Sequence, residues 1–341
     1  MASLASPVVV IAHRGASALR PEHTLAAYAQ AIADGADFIE PDLVATRDGV
    51  LVARHENEIG STTDVAMFPG FADRRRRQVI DGEAVEGWFT EDFTLAELKI
   101  LRARERLPQL RSTRHDGRFP IATLDEVIEL VAAESARLGR MVGLIPEIKH
   151  PTHFQRLGLP MEDRLLERLH AHAYTRRAPV VIQSLEVGNL RYLSERLVGR
   201  PNIRLLQLLG APDECPADPV DGDGGRLRYG QMMTPAGLRA ITTYAQVIGP
   251  PSRAVVPVTA QGALGMPTSL VRDAHAAGLQ VQPYTFRPEN HFLPRVLWQG
   301  EDPRTVNPEG SIAEIRACLV AGIDGFFTDH PAIGRKAVDG R

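Results

Sequence analysis

The chain has 341 residues, of which 44% are hydrophobic and 24% charged, a composition typical of a globular protein. Acidic residues number 42 and basic residues 39, so the net charge of −3 gives no reason to expect nucleic acid or an anionic membrane surface as a partner. No apolar run is long enough for a transmembrane segment, and two cysteines, Cys215 and Cys318, imply no disulfide framework.

Short runs rich in β-branched residues alternate with helical patterns along the chain. Extended segments are predicted at residues 8–13, 38–44, 50–55, 143–149, 179–184, 203–209, 254–259, 280–286 and 325–330. Helices are predicted between them at residues 23–34, 123–138, 161–174, 186–198, 234–246, 267–277 and 310–321.

This alternation predicts parallel βαβ units and therefore an α/β fold. If residues 50–55 form an extra hairpin arm, eight core strands remain, which predicts a (β/α)8 TIM-type barrel over residues 1–341 as a single domain. A doubly wound open sheet is the alternative, but no G-x-G-x-x-G follows the first strand.

Residues 56–120 are rich in Arg, Gly, Pro and acidic residues and are predicted to be an inserted segment after the second strand. Within it, the arginine run at 74–77 predicts either a solvated loop or an anion-binding lip.

Ionisable side chains stand near the ends of two predicted strands. Residues two apart on a strand face the same side, so Glu40 points with Asp42, and Glu147 with Lys149. In a parallel barrel the carboxyl ends of the strands form the active face. Three carboxylates there repel one another unless they are protonated or a cation lies between them. The third acid favours the cation, and an all-oxygen site suits Ca²⁺ or Mg²⁺. The alternative is pairing of Glu40 and Asp42 with nearby arginines such as Arg14.

Two histidines, His13 and His55, end predicted strands beside these acids. Imidazole titrates near neutral pH, so the pair is suited to act as general acid and general base. Arg14 directly follows His13 and is a natural phosphate ligand. His23, at the predicted start of a helix, is expected to cap the helix or to pack in the loop, with contact to a ligand as the alternative.

The segment "AHRGASALRPEHTLAAYAQAIADGADFIEPDLVATRDGVLVARHE" resembles the signature of glycerophosphodiester phosphodiesterases, most closely the longer, periplasmic-type bacterial branch. The resemblance continues, in family order, through "PEIK", "VVIQS", "QPYTFRPEN" and "GIDGFFTDHP". It implies a TIM-type barrel with an insertion after the second strand. It also implies metal-dependent hydrolysis of glycerophosphodiesters, such as glycerophosphocholine and glycerophosphoethanolamine, to sn-glycerol 3-phosphate and an alcohol.

The resemblance assigns roles residue by residue. His13 and His55 become the catalytic acid–base pair, and one divalent cation, with Ca²⁺ favoured over Mg²⁺, is held by Glu40, Asp42 and Glu147. The expected substrate-binding residues are Arg14, Lys149, Gln183 and Phe286, with core packing as the alternative for Phe286.

Other points stay open at this level. Glu56 follows His55 where many family members have Asp. The resemblance implies a periplasmic or secreted protein, whereas the N-terminus shows no signal peptide, which leaves a cytoplasmic location open. A phospholipase D-like enzyme and a non-catalytic phosphate-binding barrel are the competing functions. The oligomeric state and the choice between water and the glycerol 2-hydroxyl as nucleophile are undetermined.

Overall fold

The computed structural model describes residues 8–218 and 227–340. Its strands are β1 (Val9–Ala12), β2 (Phe38–Ile39), β3 (Asp42–Ala45), β4 (Leu51–Ala53), β5 (Arg76–Ile80), β6 (Glu83–Gly87), β7 (Gly143–Leu144), β8 (Glu147–Ile148), β9 (Val180–Ser184), β10 (Ile203–Leu208), β11 (Val247–Gly249), β12 (Gln280–Val281) and β13 (Gly325–Thr328). Its helices are α1 (Leu25–Ala33), α2 (Leu95–Ile100), α3 (Leu124–Leu138), α4 (Pro151–Arg156), α5 (Glu162–Ala171), α6 (Gly188–Arg196), α7 (Tyr229–Met232), α8 (Pro235–Ile241), α9 (Ser252–Val255), α10 (Leu270–Ala277), α11 (Pro308–Val320) and α12 (Pro331–Asp339). None of these helices is long and apolar enough to cross a membrane.

The main sheet is a parallel barrel, as predicted. Its strands pair in the order β12, β11, β10, β9, β7, β2, β1 and β13. The two ends of this order are joined by backbone hydrogen bonds, from the Asp324 amide to the Val281 carbonyl and from the Phe286 amide to the Phe327 carbonyl, both 2.9 Å. β4 pairs antiparallel with β3, which confirms residues 50–55 as an extra hairpin arm.

Prolines divide two strands that were predicted to be continuous. The predicted strand 38–44 becomes β2 and β3 around Pro41, and the predicted strand 143–149 becomes β7 and β8 around Pro146. Proline has no amide hydrogen to donate to a ladder, so the regular pairing is interrupted at each of these positions. The two interruptions lie side by side, because the Glu147 amide donates to the Pro41 carbonyl at 3.1 Å.

The strand predicted at 254–259 is wrong. Residues Ser252–Val255 form helix α9 instead, and the barrel strand at this place in the chain is β11, Val247–Gly249. β11 pairs with β10 through Leu206 and Val247. A three-residue strand carries too little periodicity to be recognised, and the apolar run after it packs without joining the sheet.

The core has two layers. A small cluster centred on Ile11, Val181, Leu206 and Phe327 consists of residues from successive barrel strands. A much larger cluster joins the other faces of the strands to the helices that surround them. Helix α3 shows how the outer layer forms, since a capping box at Thr123 and Glu126 starts it and its apolar face is buried.

Residues 56–120 contain their own two-stranded hairpin, β5 with β6, together with α2 and irregular loops. The arginine run at 74–77 lies here, and three of its guanidinium groups pair with acids of the same segment: Arg74 with Glu97, Arg75 with Glu86 and Arg76 with Asp92. These contacts favour the interpretation of the run as a solvated, internally paired surface over an anion-binding lip.

Candidate active site

The predicted acids and histidines meet at the carboxyl ends of the barrel strands. The register of the sheet sets Asp42 on β3 directly beside Glu147 on β8. A cavity of about 350 Å³ opens at this end of the barrel. It is lined in part by His13, Arg14, Glu40, His55, Glu147, Lys149, Tyr284, Arg287, Phe292 and Phe327.

Glu40, Asp42 and Glu147 form a tight acidic cluster. Each contributes a carboxylate oxygen, and the three oxygens lie within 4.8 Å of one another. All three side chains are buried. Burial, followed by the charges of Asp42 and Glu147, raises the pKa of Glu40 well above its usual range, and burial also raises the pKa of Glu147 to about 7.

The cluster has the features of a cation site. The Oδ1 atom of Asp42 is buried and has no hydrogen-bond partner among the described residues. Such an orphaned carboxylate oxygen is costly unless a ligand satisfies it. Three carboxylates held this close fit a hard divalent cation, which would replace the protons that the raised pKa values of Glu40 and Glu147 favour. The cluster therefore fits the predicted metal ligands.

His23 has a role that sequence reasoning missed. Its imidazole is completely buried, with Nε2 2.9 Å from Oδ2 of Asp42 and Nδ1 2.8 Å from the hydroxyl of Tyr28. Burial opposes the ionisation of Asp42, but the contact with His23 and the charges of Lys149 and His55 together outweigh it and keep the pKa of Asp42 well below its usual range. His23 thus orients an acid of the cluster. The left-handed backbone at His23, with φ of 56°, marks a functional constraint that the sequence does not display.

His13 is held from behind by Asp329. Its Nδ1 lies 2.5 Å from Oδ1 of Asp329, while Nε2 faces the acidic cluster, 4.0 Å from Glu40. Asp329 follows β13 just as His13 follows β1, and the pairing of Ala12 with Thr328 sets the two residues side by side. The signal for Asp329 was its place at a strand end in "FFTDH", but its partner is 316 residues away in the chain.

His55 has the same arrangement with the acid that follows it. Its Nδ1 lies 2.5 Å from Oε1 of Glu56, and its Nε2 lies 3.3 Å from Nζ of Lys149. A carboxylate at Nδ1 fixes the tautomer that carries hydrogen on Nδ1, so Nε2 of the neutral ring is an acceptor, and at His55 it accepts from Nζ of Lys149. Both imidazoles therefore present Nε2 toward one cavity.

Burial, reinforced by the charge of Arg14, lowers the pKa of His13 to about 4. The unfolded chain would take up this proton near pH 6.5 but the folded chain only near pH 4, so the free energy of unfolding should fall as the pH falls through this range. Relative to His13→Gln, which cannot titrate, the wild-type protein should lose about 2 kcal/mol more stability between pH 7.5 and 5. Urea unfolding with chelator present measures this, and equal losses in the two proteins would contradict the buried neutral imidazole.

The two predicted phosphate-binding cations line the cavity. Arg14 donates through Nη1 to Glu22 at 3.0 Å, and Lys149 approaches Glu147 at 2.9 Å. The amide of Arg14 also donates to Glu40 at 3.0 Å. Arg14 adopts a left-handed φ of 59°, and Gly15 follows where a Cβ would lie 2.8 Å from Ala27. This constrained turn sets the guanidinium beside the acidic cluster.

Gln183 and Phe286 lie behind the cavity and are not among its described lining residues. Gln183 is completely buried and donates to Oε1 of Glu40 at 2.7 Å, which is the contact of a residue that orients a metal ligand. Phe286 is completely buried and packs edge-on against Phe326 at 5.5 Å. For both residues the observed contacts are internal, and direct contact with substrate stays a prediction.

A second cavity of about 550 Å³ adjoins the first and shares Glu147, Lys149, Leu185 and Tyr284 with it. Five of its lining residues beyond the shared ones are acidic. The acids that line it are Asp81, Glu83, Glu186, Asp213 and Glu214.

A parallel barrel with clustered acids, two carboxylate-backed imidazoles and two cations at its strand ends defines a hydrolase of phosphate esters. Residues 13–333 match the Glycerophosphoryl diester phosphodiesterase family, and the chain belongs to this family. It is accordingly a phosphoric diester hydrolase.

Relatives extend along almost the whole chain. A glycerophosphodiester phosphodiesterase of Arabidopsis thaliana, GDPD6, is 37% identical over 94% of this chain and 82% of its own length. One from Haemophilus influenzae is 29% identical over 98% of this chain and 91% of its own length. A solved Oleispira antarctica phosphodiesterase, in complex with the product sn-glycerol-3-phosphate, superposes with a TM-score of 0.62 at 20% identity, covering 97% of this chain and 96% of its own. The similarity to the Oleispira structure supports the barrel fold.

Proposed function

We propose that this enzyme hydrolyses glycerophosphodiesters such as glycerophosphocholine and glycerophosphoethanolamine to sn-glycerol 3-phosphate and an alcohol, with one divalent cation and His13 and His55 as the acid–base pair. One observation carries the proposal. Two imidazoles, each backed at Nδ1 by a carboxylate, face the same cavity as three clustered acids. The names of the relatives from Arabidopsis and Haemophilus, and the product bound to the Oleispira protein, support the same substrate class.

The chain's own groups would bind the diester and move two protons. Arg14 and Lys149 hold the anionic phosphate. One imidazole accepts the proton of the nucleophile at Nε2, and the other, which enters the step as an imidazolium protonated at Nε2, gives that proton to the leaving alkoxide. If water is the nucleophile, one such step gives the products. If the glycerol 2-hydroxyl is the nucleophile, the step releases the alcohol and forms a cyclic phosphate, which water then opens with the two imidazoles in exchanged roles. The divalent cation, held by Glu40, Asp42 and Glu147, supplies charge neutralisation of the phosphate oxygens when bound. Carboxylate oxygens suit both Ca²⁺ and Mg²⁺. The resemblance to the periplasmic-type bacterial branch favours Ca²⁺.

A release assay tests the proposal. The protein is supplied with Ca²⁺ or Mg²⁺ and each of several glycerophosphodiesters, and sn-glycerol 3-phosphate is measured. Turnover of glycerophosphocholine or glycerophosphoethanolamine is expected. Turnover of sphingomyelin in their place would support the phospholipase D-like alternative, and binding without release would support a non-catalytic barrel.

The acidic second cavity favours head groups that carry a positive charge. We expect kcat/KM to be about fivefold higher for glycerophosphocholine than for the neutral-head-group glycerophosphoglycerol, since a partly solvated ion pair contributes about 1 kcal/mol. Glu214→Gln should reduce this ratio, because it removes a charge from the cavity wall. High salt should reduce it as well. An equal kcat/KM for the two substrates at low salt would show that the acids do not contact the head group.

A further inference from the structure

Two arginines of the inserted segment, Arg106 and Arg111, each reach a carboxylate that holds one of the two active-site histidines. We propose that Arg106 and Arg111 are positioning residues for the reaction, and that the inserted segment orients both imidazoles through them. The proposal rests on the roles of His13 and His55 proposed above. It concerns residues that themselves touch neither the phosphate nor the reacting atoms.

Arg106 connects the His55 side of the site to the Arg14 side. Its Nη1 donates to Oε1 of Glu56 at 2.9 Å, and the same oxygen contacts Nδ1 of His55. Its Nε and Nη2 donate to both oxygens of Glu22, at 2.7 and 2.6 Å. Glu22 in turn accepts from Arg14. One guanidinium therefore fixes the carboxylate of the imidazole and the carboxylate of the phosphate-binding arginine together.

Arg111 does the same on the His13 side. Its Nη2 donates to Oδ2 of Asp329 at 2.6 Å, and Oδ1 of that carboxylate contacts His13. Its Nε donates to Glu289 at 2.6 Å, and its Nη1 donates to the carbonyl of Ser17 at 3.1 Å. The Arg111 side chain is only 6% exposed, so these contacts are shielded from water.

The contacts of Arg106 and Arg111 with two carboxylates each require the planar guanidinium group of an arginine. A guanidinium donates to two carboxylates along fixed directions, whereas a lysine ammonium is a point charge without this directionality. Without Arg106, Glu56 would keep its charge but lose the guanidinium that fixes its orientation. Without Arg111, Asp329 would keep only the longer contact from Nε of Arg287, at 3.1 Å. Each carboxylate would then be held less firmly, and so would the imidazole that it supports.

A purely structural role is the competing explanation, since a buried ion pair that loses one partner destabilises the fold. The two explanations differ in what the conservative variant restores. If Arg106 and Arg111 position the histidines, kcat falls while the folded fraction changes little, and lysine restores stability better than it restores kcat. KM should change little for Arg111, whereas Arg106 also supports Arg14 through Glu22. If they are structural, kcat follows the folded fraction.

The experiment uses Arg106→Met, Arg106→Lys, Arg111→Met and Arg111→Lys, assayed with glycerophosphocholine and saturating Ca²⁺. Arg104→Met is the matched control, because Arg104 lies in the same segment and makes an exposed pair with Asp116 at 3.6 Å. Both methionine variants should lose about 10–100-fold in kcat, and the lysine variants should recover part of the loss. In Arg111→Met the KM should change less than about threefold, whereas Arg106→Met should also raise KM because Glu22 loses its partner. The control should keep wild-type values.

A double variant and a spectrum make the test decisive. If Arg106 acts through Glu56, the combined loss in Glu56→Gln with Arg106→Met should be smaller than the product of the single losses. Nitrogen-15 NMR of the histidine rings should show that Arg111→Met alters the Nδ1 signal of His13 but not that of His55, and Arg106→Met the reverse. Unaltered ring signals, or folded variants with wild-type kcat, would overturn the proposal. A wild-type protein that hydrolyses no glycerophosphodiester, yet whose ring signals change as described, would overturn the proposed function and leave the positioning contacts in place.

Discussion

His13→Ala and His55→Ala are each expected to lower turnover of glycerophosphocholine by about 10²–10⁴-fold, because each removes one partner of a proton-transfer pair. The expected effect is on kcat more than on KM, since Arg14 and Lys149 remain to bind the phosphate. Steady-state kinetics at neutral pH measure it, and circular dichroism establishes that the variants fold.

His275→Ala is the matched control for these variants. His275 pairs with Asp324 on the surface, and its side chain is 42% exposed. Its removal should leave turnover within about twofold of the wild-type rate. If either His13→Ala or His55→Ala retained a wild-type rate, the acid–base assignment would be wrong for that residue.

Chelation with EDTA is expected to abolish activity, and Ca²⁺ or Mg²⁺ should restore it. The physical reason is the acidic cluster. Its three buried carboxylates repel one another and Oδ1 of Asp42 has no hydrogen-bond partner among the described residues, so a bound cation should stabilise the cluster. Added Ca²⁺ should also raise the unfolding free energy of the chelated protein by about 2.7 kcal/mol at a concentration of 100 Kd. This second measurement reports binding without reference to turnover.

Substitutions within the acidic cluster should show whether Ca²⁺ binds there and not at other buried acids. Asp42→Asn and Glu147→Gln should each weaken the stabilisation by Ca²⁺, while Glu91→Gln should preserve it. Glu91 is an equally buried acid, but it pairs with His153 outside the cluster. Activity that is indifferent to chelator, or Ca²⁺ stabilisation unchanged in Asp42→Asn, would refute the site.

Local patterns predicted much of the barrel. Helices such as α3 and α11 carry their own caps and apolar faces, and their bounds fall within about three residues of those predicted from the sequence. The error at 254–259 arose where the local signal is weakest, because β11 has only three residues and a longer apolar run follows it. Strand identity there depends on pairing with β10, which is a contact between distant parts of the chain.

The sequence by itself determined which residues carry charge at the strand ends, because short apolar runs lead into Glu40 and Asp42 and into Glu147 and Lys149. Pro41 interrupts the strand between the first two, so the fold was needed to show that they meet. Only the tertiary structure decided which groups support them. Asp329 behind His13, His23 behind Asp42, and the two arginines of the inserted segment come from other parts of the chain. Hydrogen bonds between residues so far apart in the chain depend on sheet register and on loop packing. Neither can be predicted from the periodicity of a short segment.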